Sequence, residues 1–387
     1  MMLYGLLLAA SLSAADNFSL SQSCPPSFEL VEGNRCKLVS RYDMYDSLQN
    51  KGVGGTQTAL PPRRDGFSPQ QIDLGRYLFF DPLLSANHQQ ACASCHQPER
   101  GFADGKALST GANGALGTRS APGLWNVGFL RRLFWDASAG SLEEQALIPM
   151  LAEHEMANTP AQLLADLQAN AHYPALFRQA FNGSDKIQLQ QVATALSAFQ
   201  SSLISLNSRY DQYAHGYHQA LNEQEIKGMN VFRSFVARCA ECHTPPLFTN
   251  QQIAVIGTPE PDGMPFDAGA GAKAGQEKLR GGFKVPTLRN IALTAPYMHS
   301  GRFATLAEAA EFYSKGRGHA VPPGEDLLLH WHIWEPKLTP EEIQQITAFL
   351  GSLTDESLKP QTPQRLPSGL ALPHELSPQT HITGATE

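Results

Sequence analysis

The sequence predicts a mainly α-helical protein of two successive units with long wrapping loops, an N-terminal extension and an irregular C-terminal tail. Three observations predict it. The pentapeptide C-x-x-C-H occurs twice, as Cys92-Ala93-Ser94-Cys95-His96 and Cys239-Ala240-Glu241-Cys242-His243, about 150 residues apart. Each copy follows a similar stretch, Leu74-Gly75…Phe79 and Lys227-Gly228…Phe232, which reads as a weak internal repeat. Strand signals are sparse and short, whereas capped amphipathic stretches recur.

C-x-x-C-H is the attachment signature of c-type haem. Two cysteine sulfurs bond the porphyrin edge, and the adjoining histidine reaches the iron as an axial ligand. A zinc site would want four converging ligands, usually from pairs close in sequence. Neither zinc nor a thioredoxin-like dithiol accounts for a histidine after both pairs. The reading is two covalent haem c groups, held by Cys92, Cys95 and His96 and by Cys239, Cys242 and His243, in two cytochrome c-like haem domains.

Taken in order, residues 1–15 are apolar and uncharged, and Ser13-Ala14-Ala15 offers a small-residue cleavage site before Asp16. They read as a signal peptide, irregular in lacking Lys or Arg, and too short to span a membrane; nothing later approaches a span. Residues 16–65 form an extension with Cys24 and Cys36, whose spacing suits a disulfide, two free thiols being the alternative. The first haem domain is placed at 66–215. Ser68 opens its first helix, which runs through Phe79 with Ile72, Leu74 and Leu78 on one side. The second domain, 216–355, starts a comparable helix at Asn222, with Glu223 and Glu225 in the first turn. Thr339-Pro340-Glu341-Glu342 combines an N-cap, a proline at the first helical position and a capping-box glutamate. Ile343, Ile346, Phe349 and Leu350 follow on one face. Residues 356–387 are rich in Pro, Ser and Thr and read as a tail, disordered or draped over the surface.

The net charge of −7 argues against a nucleic-acid partner. The pairs Arg63-Arg64 and Arg131-Arg132 suit solvated surface. Four of six cysteines belong to the haem motifs, and haem c is attached outside the bacterial cytoplasm. The expected location is the periplasm.

Function depends on what faces each iron opposite its histidine. A Met or His there makes an electron carrier; an open position admits oxygen or peroxide. From Gln97 through Glu153 there is no histidine, and Met150 is the only methionine. The first haem is therefore expected to have an open face.

Several blocks in a fixed order resemble the bacterial di-haem cytochrome c peroxidases and their relative MauG, the methylamine-utilisation di-haem enzyme. They are LGRYLFFDPLLS (74–85), CASCHQPERGFADG (92–105), FWDASAGSLEEQALIPMLAEHEM (134–156), CAECHTPPLFTN (239–250) and FKVPTLRNIALTAPYMHSGRFATL (283–306). The resemblance runs from about Leu74 to Leu353. It implies that His96 is the proximal ligand of a peroxide-binding haem. Trp135, Gln145, Pro149 and Glu155 fall at the family's steps of ten, four and six residues. Glu155 then corresponds to the distal acid/base, Gln145 to its hydrogen-bonding neighbour and Trp135 to an indole between the haems. A carboxylate suits that place because it can take a proton from one peroxide oxygen and hand it to the other.

His243 resembles the proximal ligand of the second haem. Where the peroxidases have a Met nineteen residues after the Thr of the LTAP segment, MauG-like proteins have a Tyr; here that residue is Tyr313. An anionic oxygen donor favours oxidised iron, and a thioether does the opposite. Met298, in PYMHSG, is the alternative ligand. The resemblance also implies that the Thr294 and Pro296 carbonyls hold a calcium ion, with Ser120 standing where the family has Asn, a poorer donor. His299 matches an inter-haem histidine placed beyond direct ligation. The MauG relay tryptophan corresponds to Ala237, so that relay is missing; Trp331 and Trp334 are other aromatic candidates.

Three functions follow. A MauG-like enzyme would use hydrogen peroxide to form a high-valent di-haem state that oxidises residues of an exported partner protein. A peroxidase would reduce peroxide with electrons from a small cytochrome or cupredoxin. A non-catalytic electron-transfer or sensor protein is the third.

Overall fold

A computed structural model describes residues 18–46, 58–183, 185–316, 318–373 and 376. The expected signal peptide and its cleavage site lie outside the described residues, as do part of the Gly-rich stretch and the end of the tail. The described chain is mostly helical. Its helices are α1 (Pro69–Phe80), α2 (Cys92–Cys95), α3 (Leu142–Leu151), α4 (Pro160–Ala169), α5 (Tyr173–Ala180), α6 (Leu189–Ser201), α7 (Arg209–Ala214), α8 (Glu223–Arg233), α9 (Cys239–Cys242), α10 (Gly269–Ala274), α11 (Leu306–Lys315) and α12 (Pro340–Gly351). Two antiparallel pairs complete it, β1 (Phe28–Val31) with β2 (Arg35–Leu38) and β3 (Ile253–Val255) with β4 (Gly282–Lys284). Among the described residues no helix is long and apolar enough to cross a membrane.

The predicted caps form. Ser68 Oγ accepts from Gln71 N at 3.2 Å while Gln71 Oε1 accepts from Ser68 N at 3.1 Å. Asn222 and Thr339 close the same reciprocal box with Glu225 and Glu342. Each box satisfies backbone N–H groups that a helix start leaves without partners.

The internal repeat has a packing reason. α1 crosses α6 at Gly75, where a Cβ would overlap the carbonyl of Ala195; α8 crosses α12 at Gly228, where a Cβ would overlap that of Gln345. The same aromatic pair sits beside each crossing. Phe79 and Phe199 lie 5.0 Å apart at 57°, and Phe232 and Phe349 lie 5.3 Å apart at 57°. Each crossing centres a separate core, one containing Leu78, Leu167, Leu176 and Leu196, the other Met229, Phe248, Ile346 and Leu353. Gly228→Ala should lower stability by about 3 kcal/mol through overpacking. Gly351→Ala, where nothing lies within 4 Å, should change little. Urea midpoints followed by far-UV ellipticity check this; equal effects at both sites would remove the close approach as the cause.

The extension is structured over its described part. Phe28 pairs with Leu38 and Leu30 with Cys36, and Cys24 and Cys36 form the expected disulfide. Beyond this hairpin Tyr42 is fully buried, with its hydroxyl on Asp211 of α7. Arg289 holds both oxygens of Asp211, at 2.5 and 2.7 Å. Of the two expectations for the tail, draping holds as far as residue 373. Leu366 is buried in the first core with Leu370 and Leu372 against it, and Ser368 N donates to Asp81 at 3.3 Å.

Candidate active site

The two attachment motifs are built alike. Each C-x-x-C is a single helical turn, closed by the histidine N–H donating to the first cysteine carbonyl, at 2.9 Å from His96 to Cys92 and 2.8 Å from His243 to Cys239. The chain then loops back so that a carbonyl meets the ring. His96 Nδ1 lies 2.8 Å from Phe102 O. His243 Nδ1 lies 3.1 Å from Phe248 O and 3.2 Å from Pro286 O. Carbonyls only accept, so Nδ1 carries the proton and the lone pair sits on Nε2. Burial keeps both rings neutral, lowering His96 and taking His243 down to about 4.

A continuous cavity of about 690 Å³ joins the two sites. The four motif cysteines, both histidines, Trp135, Gln145, Glu155 and Tyr313 all line it. Burial pushes the Cys92 and Cys239 thiols up to about 12 and those of Cys95 and Cys242 to about 11. Uncharged thiols and neutral imidazoles with a free Nε2 fit two covalently attached haems.

Glu155 owes its place to Pro149. Without an N–H, Pro149 cannot bond to the Gln145 carbonyl, and α3 ends two residues later. A tight turn follows, in which Glu155 N donates to Ala152 O at 3.0 Å and Met156 N to Pro149 O at 3.1 Å. A second loop clamps this turn: Ala112 N donates to Glu155 O at 2.6 Å, and a Cβ on Gly111 would overlap the His154 carbonyl. The Glu155 carboxyl is shifted upward by burial, opposed by His154, whose Nε2 lies 3.7 Å from Oε1.

Trp135 links the two halves of the cavity wall. Its Nε1 donates to Ser120 O at 2.8 Å, and its carbonyl accepts from Lys284 N of β4 at 2.7 Å. Ser120 N in turn donates to the His299 carbonyl at 2.7 Å. The His299 ring stacks on Phe283 at 3.8 Å and meets Glu260 through Nε2 at 2.8 Å. Ser120, Thr294 and Pro296, the residues considered for calcium, line the same cavity. Tyr313 projects from α11, and burial followed by the proximity of Cys242 and Cys239 holds its hydroxyl well above its usual range. Met298 also lines the cavity. Trp334 Nε1 donates to Val236 O at 2.9 Å, beside Ala237, whereas Trp331 is 73 % exposed.

Two contributors escaped the sequence reading. Lys284 is fully enclosed in the cavity wall, and burial lowers its ammonium to about 8. Arg119 joins Asp136 at 2.8 Å and Asp267 at 2.6 Å. Lys284 sits inside a quoted block and Arg119 next to Ser120, yet neither carries a spacing that would single it out.

A family model described as di-haem cytochrome c peroxidase matches residues 69–219. The methylamine utilization protein MauG of Methylophilus methylotrophus is 33% identical over 320 residues, covering 79% of this chain and 92% of that protein. The chain belongs to the di-haem cytochrome c peroxidase and MauG family. The cytochrome c551 peroxidase of Nitrosomonas europaea is about as similar, 32% identical over 309 residues, covering 79% of this chain and 86% of that protein. Among solved structures, a MauG-like protein associated with microbial copper homeostasis superposes with a TM-score of 0.70 at 35% identity, covering 78% of this chain and 95% of that one. As a member of this di-haem family the chain is a haem-dependent, peroxidase-type oxidoreductase with two haem c groups.

Proposed function

We propose that this chain is a MauG-like enzyme that uses hydrogen peroxide to oxidise residues of an exported partner protein. When bound, the haems supply the two-electron reduction of peroxide and hold the oxidising equivalents. The observation that carries the reading is Tyr313, a buried phenol beside Cys239 and Cys242 in the second site. An oxygen donor there suits a haem that shares oxidation rather than one that accepts electrons from a high-potential carrier.

In this reading Glu155 takes the proton from the peroxide oxygen nearer the haem and returns it to the outer oxygen, which leaves as water. Gln145 orients the peroxide by hydrogen bonding. Trp135, fixed by Ser120 and Lys284, couples the two haems electronically. The division into haem domains at 66–215 and 216–355, a periplasmic location and a calcium ion on the Thr294 and Pro296 carbonyls belong to the same proposal. His299, held by Glu260, acts there by positioning its neighbours.

The ferric holoprotein should give one high-spin haem signal and one low-spin signal by EPR. Peroxide added without prior reduction should produce a long-lived oxidised species. Two low-spin haems would remove the open site. The second reading, peroxide reduction with a small cytochrome or cupredoxin donor, is favoured by the equal similarity to peroxidases. It predicts that activation requires one reduced haem and that a donor sustains rapid turnover.

A further inference from the structure

The loop after α11 folds back over the second attachment motif and brings two imidazoles to a carboxylate that the peroxide chemistry does not use. His330 N donates to Val255 O of β3 at 2.8 Å, and Trp334 Nε1 donates to Val236 O at 2.9 Å, so the loop is fastened on both sides of the histidines. Between these ties, donor atoms of His330, His332 and Cys242 all lie within 4.8 Å of one another. Glu241, the residue before Cys242, adjoins this group through His332: its Oε2 is 2.7 Å from His332 Nε2.

The His332 ring is the informative group. Both of its nitrogens are buried, and neither makes a hydrogen bond, although Nε2 touches Glu241. Its Nδ1 is thus left without a partner, and its Nε2 meets only the Glu241 carboxylate, two donors that a cation can engage. His330 has a weak tie, its Nδ1 accepting from His332 N at 3.3 Å. Cys242 counts here as a thioether, since its sulfur carries the second haem, so it can offer only a soft, neutral donor. Two imidazoles, one carboxylate and a thioether match copper better than magnesium or calcium, which want oxygen alone. Copper also heads the affinity order for divalent first-row ions at nitrogen sites.

We propose that His330, His332 and Glu241 form a copper site beside the second haem-attachment motif, with the Cys242 thioether next to the ion. The site stands whether the haems oxidise a partner or reduce peroxide for a carrier, because neither reaction gives His330, His332 or Glu241 a part. Its position gives it a consequence. A divalent charge one residue from the haem attachment favours the reduced, less positive iron, so copper should shift the second haem's reduction potential upward.

The test uses untagged holoprotein, stripped with EDTA, equilibrated with Cu²⁺ and passed through a desalting column before metal analysis. One tightly held copper per two irons is expected, with nitrogen hyperfine structure in its EPR signal and a positive shift of the second haem's midpoint. His330→Ala/His332→Ala should reduce retained copper at least tenfold and abolish the shift, leaving the haem absorption spectrum intact. If the double variant loses haem, His330→Gln alone decides, since that ring is tied only by a long bond. Full retention of copper in either variant, or retention of Zn²⁺ but not Cu²⁺ by the wild type, would overturn the assignment.

Discussion

Glu155→Gln should keep both haems and their ferric spectra and slow peroxide activation by about 10²–10⁴-fold, the usual worth of a positioned acid/base. Glutamine matches the shape but cannot accept the proton, so binding survives and proton transfer does not. The pH dependence separates this from a packing defect. Burial raises the Glu155 carboxyl above its ordinary range, and the working form is the carboxylate. Activation in the wild type should therefore fall as pH drops through that raised value, earlier than for an exposed carboxylate, and the variant should lose this limb. Stopped-flow mixing of ferric protein with peroxide across pH measures both. An unchanged rate would remove Glu155 from the reaction.

Tyr313→Met should shift the second haem's reduction potential upward by some tenths of a volt, within the roughly 0.8 V that axial ligands span. Exchanging an anionic oxygen for a thioether stabilises the reduced iron. The variant should then fail to give a long-lived oxidised species from ferric protein, and pre-reduction should restore peroxide turnover. Spectroelectrochemistry reads the first effect and rapid mixing the second. A potential identical to wild type would take Tyr313 off the iron and return Met298 to consideration.

What the sequence disclosed was what is local. The attachment motifs, the helix starts at Ser68 and Asn222 and the capping box at Thr339 each act within a few residues, so spacing alone displays them. Glu155 was legible through the family blocks, but its clamp by Gly111 and Ala112 was not, because that contact spans a loop with no periodic signal. The repeat around Gly75 and Gly228 was visible only as a faint similarity. Its cause, a backbone carbonyl of α6 or α12 pressed against each glycine, belongs to the partner helix. Draping of the tail was undecided for the same reason: Leu366 and Leu370 follow no helical or strand period and are fixed by the surface they cover. Trp331 and Trp334 had read only as aromatic candidates, and the carboxylate that gives the neighbouring histidines chemical meaning comes from the attachment motif about ninety residues earlier.

The ends of the described chain cross over. The N-terminal hairpin packs on α1 and α6 through a small cluster of Cys36, Phe67, Ile72 and Ala198, yet the chain after it sends Tyr42 to Asp211 and Arg289 beside the second core. The tail leaves the second core after α12 and lies on the first through Leu366. Each half is thus strapped by a segment anchored in the other. Neither can move away from the other without loosening a strap, so the spacing between the two attachment motifs is held by described segments that lie outside the cavity between them.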